Sequence, residues 1–455
     1  MLCSICIIVS IVSAGCGSFG QSDVSRTTEY VETAPAGETS QGELAPAVPG
    51  VCIDRMGYEP EKEKIVVFQG TDLPDTFTLR EAQSGQIVYT GTIEKKGNEE
   101  SEAEYNGYGD FSDYRNPGSY YIQIDRYGES YPFLIHDNLY YSLFLRGCTR
   151  LYDMQGNGRN GTGSGWQSGT DKESMLTESC QSMFQLLLSY EMFPEVYTDD
   201  IGIPESGNGI PDILDLCRYE AVRLMEQTKN GNINGIQWGY LAAVLAKYAY
   251  LTRNDDEELA GECLQAAEEA WKCAEKDLFV SDDLIALAAA ELYRMTGSRQ
   301  YLGLAEEYLR AGTERETSLT DLEFFGSITY MNTKNPVDIE LCDAMMKKIM
   351  EEAEAIAERA GQNSFLIYGE PGEVETSTLL QQTLRICLVN HIITNHEYST
   401  VIENHFHYLL GRNPGSICYV SYRQEQELQE EDVMEDAVQI SALLFLLSER
   451  LANGA

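Results

Sequence analysis

Positive charge is scarce in this sequence: 32 Lys and Arg stand against 73 Asp and Glu over 455 residues, a formal net charge of −41. Such a surface repels phosphate, which excludes DNA, RNA and anionic lipid headgroups as partners. Neutral or cationic ligands are left, and sugars are the natural candidates given 28 Tyr and 14 Phe. Histidine is scarcer still. The five, His136, His391, His396, His405 and His407, show no metal-ligand spacing, and His405 and His407, two apart, point to different faces of a helix. Each is expected in a partly exposed structural role. Cysteine pairs are also lacking: beyond residue 16 nine cysteines lie scattered with no CxxC, so neither a zinc ribbon nor a disulfide framework is signalled. Cys180, Cys217, Cys263, Cys273, Cys342 and Cys387 fall in helical-looking segments and read as small buried hydrophobes.

The apolar run at residues 2–15 is too short to span a bilayer, which takes about 20 residues. It ends in Ser13-Ala14-Gly15-Cys16, the pattern of a bacterial lipoprotein signal in which Cys16 carries the lipid. Residues 1–16 are therefore expected to be a signal peptide and the protein to be exported and held at the cell surface, touching the membrane through that anchor alone. Residues 17–50, with five acidic residues, three Pro and two aromatics, read as a disordered tether. Beyond it, a 43% hydrophobic share is ample for a large packed core.

Two periods follow. Between 51 and 136 the segments KIVVFQG, TFTLREA, QIVYTGTI, GSYYIQID and SYPFLIH alternate or run apolar, separated by turns such as Ser84-Gly85 and Asn116-Pro117-Gly118. That pattern predicts a small β-sandwich. From 137 to 455 the period is helical, with twelve amphipathic segments at 138–153, 175–192, 211–229, 236–252, 257–276, 281–296, 299–312, 318–330, 337–360, 376–395, 398–411 and 435–452. Paired helices in that number form either a closed ring or an open solenoid, and length does not decide between them.

Six stretches carry a resemblance. Tyr190–Glu220 (YEMFPEVYTDDIGIPESGNGIPDILDLCRYE) closely resembles the hallmark segment of glycoside hydrolase family 9, the inverting cellulases. GSGWQSGTDKE (163–173) sits where that family has Gly-Gly-Trp-x-Asp-Ala-Gly-Asp-Tyr, and HYLLGRNPGSICYVSYR (407–423) with MEDAVQISALLF (434–445) is similar to its C-terminal segments. IDRMGYEPEKEKIVV (53–67) and DFSDYRNPGSYYIQI (110–124) resemble the immunoglobulin-like domain often found ahead of such catalytic domains. The resemblance implies an immunoglobulin-like β-sandwich followed by an all-α (α/α)6 barrel. It also implies an enzyme that hydrolyses β-1,4-linked glucans with inversion, working as a monomer.

Inversion needs two carboxyl groups roughly 6.5–9.5 Å apart, one to protonate the leaving oxygen and one to deprotonate the attacking water. The resemblance places the base at Asp171 and the acid at Glu435. The family's first Asp falls on Ser168, which can hydrogen-bond the water but cannot help deprotonate it. The family's Pro-His-His-Arg segment should fall between Tyr422 and Glu435, where only RQEQELQEEDVM (423–434) stands. Those two departures support a second reading, a weakened or inactive surface protein that binds glycans. By local sequence alone, Asp171 reads as a turn or cap residue and Glu435 as a first-turn Glu favoured by the helix dipole. Trp166 reads either as a sugar-stacking ring or as a core residue. The Asn208-Gly209-Ile210-Pro211-Asp212 turn reads as structural, and Asp199 and Asp200 as cleft rim or solvated loop. Acidic loops such as 253–258 read as solvated faces, so calcium is not indicated and no cofactor is expected.

Overall fold

The computed structural model describes residues 50–70, 72–97, 105–159, 166, 172–229, 233–420 and 436–454. Nine strands come first: β1 Val51–Cys52, β2 Gly57–Tyr58, β3 Ile65–Gln69, β4 Thr76–Glu81, β5 Ile87–Gly97, β6 Tyr105–Asp110, β7 Gly118–Ile124, β8 Gly128–Glu129 and β9 Phe133–Ile135. Alternation places Phe77 and Leu79 of β4 and Tyr120, Ile122 and Ile124 of β7 inward, as a half-buried strand requires. The strand order is β1-β3-β6-β5-β4-β7-β9-β2, with β8 on β7. The long β5 belongs to both layers: Ile87 to Thr92 pair with β4, and Ile93 to Gly97 pair with β6. At that change of partner the ring of Phe77 inserts between two glycines. A Cβ on Gly91 would meet the ring at 2.4 Å and one on Gly109 at 2.5 Å, so the crossing tolerates no side chain at either. Strand β6 (YNGYGD) escapes the sequence reading because its glycines erase the alternation.

Twelve helices follow: α1 Leu139–Arg159, α2 Lys172–Met192, α3 Asp212–Lys229, α4 Gly235–Thr252, α5 Glu257–Ala274, α6 Asp282–Thr296, α7 Arg299–Glu314, α8 Asp321–Met331, α9 Ile339–Ala360, α10 Thr376–Ile392, α11 His396–Leu409 and α12 Ala437–Gly454. They match the twelve expected segments. The largest difference is α1, which continues past Gly156, where the sequence suggests a stop. Buried Gln155 explains it, donating from Nε2 to the Leu216 carbonyl of α3 at 2.9 Å and tying down that last turn.

The even-numbered helices pack on one another, α2 on α4, α4 on α6, α6 on α8, α10 on α12 and α12 on α2, while the odd-numbered ones pack outside them. Between α8 and α10 the ring is bridged by Arg385. Its Nε donates to Asp321 at 2.9 Å, its Nη1 to Glu352 of α9 at 2.8 Å, and its guanidinium sits 5.1 Å from the Phe324 ring centre. The arrangement is the closed (α/α)6 barrel rather than the open solenoid. Sequence character follows position: inner α4 (GIQWGYLAAVLAKYAYLT) is apolar almost all round, whereas outer α7 buries one narrow stripe, Tyr301, Ala305 and Leu309.

The sandwich docks on α11 and the segment after it. The Arg55 backbone N–H donates to the Leu410 carbonyl at 2.9 Å, and Tyr108 and Asn106 of β6 bond to Ser364. Gly411 has φ +121°, and a Cβ there would lie 2.7 Å from Arg55 Cγ. Asn413 fixes the same turn, donating to the Tyr408 and Ile417 carbonyls at 2.8 and 2.6 Å. The Gly-Arg-Asn-Pro-Gly stretch, read as family signature, thus organises the domain junction.

Two of the three histidines of α11, His405 and His407, are buried, not partly exposed as expected. His407 Nδ1 lies 2.8 Å from Oδ2 of the fully buried Asp54, joining the two domains. His405 accepts at Nε2 from the Tyr368 N–H at 2.8 Å, so its proton sits on Nδ1, 2.8 Å from the Thr383 hydroxyl. Burial pushes its pKa down to about 3, so it stays neutral. Among the expected buried cysteines, Cys180, Cys217, Cys263 and Cys387 are buried, but Cys273 is exposed and Cys342 half-buried.

Candidate functional site

The inner helices run parallel, so their N-termini share one end of the barrel. Just inside that end an axial cavity of about 310 Å³ is lined from all six, including Phe184 and Gln185 of α2, Tyr240 of α4, Leu287 of α6, Phe325 of α8 and Gln381 of α10. Asp171, Glu435 and Ser168 lie outside the described residues. Lys172, which follows Asp171 in the chain, opens α2, and Asp436, which follows Glu435, stands one residue before α12. These two helices pack side by side.

Asp436 is a residue the sequence reading passed over. It caps α12, accepting from the Gln439 N–H at 2.7 Å, and burial raises its pKa despite that bond, with Glu178 adding repulsion. The signal available was an acid directly before an apolar helix, and it was spent on Glu435. Trp166 resolves to its core alternative. It is fully buried, and its indole N–H donates to the Leu151 carbonyl at 3.0 Å, so no ring face is free to stack on a sugar. The hallmark segment falls on the loop and structural-turn readings given for it. Residues 193–211 join the C-terminal end of α2 to α3, so Asp199 and Asp200 stand at the opposite end of the barrel from the cavity and not on its rim. There Asp199 accepts from the Gly207 and Gly209 N–H groups at 2.7 and 2.6 Å, and buried Asp212 accepts from the Ile201 N–H at 2.7 Å. Gly207 and Gly209 take φ of +88° and +92°, which suits glycine. The stretch is a self-bonded loop that launches α3. Among the described residues no group of three or more His, Cys, Asp or Glu is arranged to hold a metal.

That opposite end is sealed by charge. Lys247 of α4, fully buried, pairs with Glu191 of α2 at 2.7 Å and Glu291 of α6 at 3.3 Å. Arg294 pairs with Glu191 as well, and the Thr329 hydroxyl of α8 donates to Glu291 at 2.8 Å. Lys247 Nζ is 4.9 Å from the ring centre of Phe184, one of the cavity walls. The network therefore lies beneath the cavity, behind Phe184. Burial alone would raise the Glu191 pKa; Lys247 and Arg294 outweigh it and hold the carboxyl down to about 2, against an ordinary 4.5. A depressed carboxyl lends stability above its unfolded pKa and loses it as pH falls toward the folded one. Acidification from pH 5 to 2 should therefore lower the thermal midpoint steeply, with Glu191 accounting for on the order of 3 kcal/mol. Glu403, held low by His407 and Arg450 against its burial, acts in the same direction. In Glu191→Gln the midpoint should start lower at pH 7 and change less with acid; an unchanged slope would discount the network.

A two-layer sandwich followed by an (α/α)6 barrel with a blind axial cavity defines the class. Residues 47–129 match the cellulase N-terminal ig-like domain and residues 235–430 match glycosyl hydrolase family 9. Together the two matches support a glycoside hydrolase family 9, cellulase-like family with an ig-like domain ahead of the barrel. It is 22% identical over 432 residues to Endoglucanase D of Acetivibrio thermocellus, covering 74% of this chain and 68% of the relative. It is likewise 22% identical over 479 residues to a xyloglucan-specific endo-beta-1,4-glucanase of Bacteroides ovatus, covering 82% and 80%. A solved metagenome-derived glycoside hydrolase family 9 endoglucanase superposes with a TM-score of 0.71 at 18% identity, over 88% of this chain and 98% of that one. At that identity the likeness is one of fold.

Proposed function

We propose that the protein hydrolyses β-1,4-linked glucans with inversion, using Asp171 as base and Glu435 as acid. The observation that carries this reading is the family match over residues 235–430, joined to the cavity at the end of the barrel where the first turns of neighbouring α2 and α12 lie. Relatives named as endoglucanases support the substrate class. In this mechanism a water between the sugar and Asp171 attacks the anomeric carbon as Asp171 takes its proton, while Glu435 protonates the departing oxygen. Ser168 leaves the water with one carboxylate where the family has two, so turnover should be slow. The test is reducing-sugar release from β-glucan and cello-oligosaccharides, with the first anomer formed read by proton NMR. Release should be lost in Asp171→Asn and rise at least tenfold in Ser168→Asp, a change of about 1.4 kcal/mol in the barrier. Binding without release, in parent and Ser168→Asp alike, would favour the glycan-binding reading instead.

The same proposal puts the enzyme at the cell surface through lipid on Cys16, a residue outside the described ones. Cys16→Ala should shift the protein out of the membrane fraction; if it stays there, the anchor lies elsewhere.

A further inference from the structure

We propose that the axial cavity is itself a sugar subsite, taking one neutral pyranose unit end-on, with the Gln185 amide as a hydroxyl partner. Gln185 is 95% buried (5% exposed), lines the cavity, and its Oε1 has no hydrogen-bond partner. A buried amide oxygen left without a donor calls for one from whatever fills the space. The rest of the lining suits the same guest. Phe184, Phe325 and Leu287 supply apolar faces for a ring, while Gln181, whose Nε2 donates to Tyr240 Oη at 3.1 Å, Tyr240 itself and Gln381 supply uncharged polar groups. Asp321, also in the lining, is engaged by Arg385 at 2.9 Å, so it exerts little pull on a cation. The volume, about 310 Å³, stands at the low end of ligand sites and accommodates one ring rather than a chain.

The ionic floor of Lys247, Glu191 and Glu291 makes the cavity blind, so a polymer cannot pass through it. What enters is therefore a terminus: the end of a glucan, or a single sugar branching from one. This choice of substrate rests on the glycoside hydrolase reading; the binding of a monosaccharide does not.

The experiment measures binding of D-glucose and D-xylose separately to the full chain, by saturation-transfer NMR and calorimetry. The parent is compared with Gln185→Met, which keeps the shape and removes the amide, and Val244→Phe, which fills the cavity from α4. Glucose as the better ligand points to a chain end and xylose to a branch. The expected result is binding in the parent that weakens at least tenfold in both variants, with thermal midpoints close to the parent's. Should Val244→Phe fail to fold, Gln185→Met carries the test alone. No binding in the parent, or equal binding in parent and Gln185→Met, overturns the proposal and means that the cavity holds water. Hydrolysis of β-glucan is measured on the same samples. A parent that hydrolyses but does not bind monosaccharide sinks only this subsite. One that binds through Gln185 but does not hydrolyse sinks only the catalytic reading.

Discussion

Replacing Lys247 with methionine should cost the protein about 3–5 kcal/mol of stability, the penalty for stripping one partner from a buried ion network. The ammonium is fully buried between Glu191 and Glu291, at 2.7 and 3.3 Å. Without it Glu291, also fully buried, keeps the Thr329 hydroxyl at 2.8 Å and an Arg294 nitrogen at 3.9 Å, while its Oε2 has no hydrogen bond even in the parent. A bare carboxylate in that setting must either take up a proton or draw in water, and both undo the packing of α4 against α6. Denaturant unfolding monitored by far-UV circular dichroism reads the loss. The double variant Lys247→Met with Glu291→Gln should recover much of it, since the unpaired charge goes with its partner. A cost below about 1 kcal/mol in the single variant would mean that the ammonium is hydrated and the floor open.

Glu435→Gln should slow hydrolysis of cello-oligosaccharides by about 10²–10⁴-fold, the usual worth of a positioned general acid. The loss should nearly vanish on an aryl glucoside whose phenolate leaves without a proton, because the missing step is then unnecessary. Asp436 makes the control. It lies one residue on, carries a raised pKa from burial, and already spends an oxygen on the Gln439 N–H. Asp436→Asn retains a capping oxygen and should leave the leaving-group dependence unaltered. If instead Asp436→Asn shows the selective loss and Glu435→Gln does not, the acid is Asp436 and the register between sequence and family pattern is off by one.

Periodicity carried most of the architecture. Inner α4 is apolar almost all round and outer α7 is striped, because the first is surrounded by protein and the second by protein and water. Closure of the ring was not readable, since it depends on α12 returning to pack on α2 from the far end of the domain. The floor was hidden for a related reason: its acids and bases come from α2, α4 and α6. A trace of it was present in the lone Lys247 of an otherwise apolar helix and in Glu291 amid alanines and leucines. Motif likeness offered Asp171 and Glu435 as the carboxylate candidates. The Asn208–Asp212 turn serves a helix start, as its sequence suggests, whereas the Gly411–Gly415 stretch, a family signature in one dimension, serves a domain junction in three, because backbone-directed Asp and Asn side chains are used alike for folding and for function.

The sealed end gives the barrel a direction of traffic. A cleft open at both ends can let a chain slide forward while product departs ahead of it. Here, anything that descends the axis must back out through the mouth before the next guest arrives. With a sugar bound there as proposed, a released unit and an incoming chain end would exclude each other, so added monosaccharide should slow hydrolysis by simple competition.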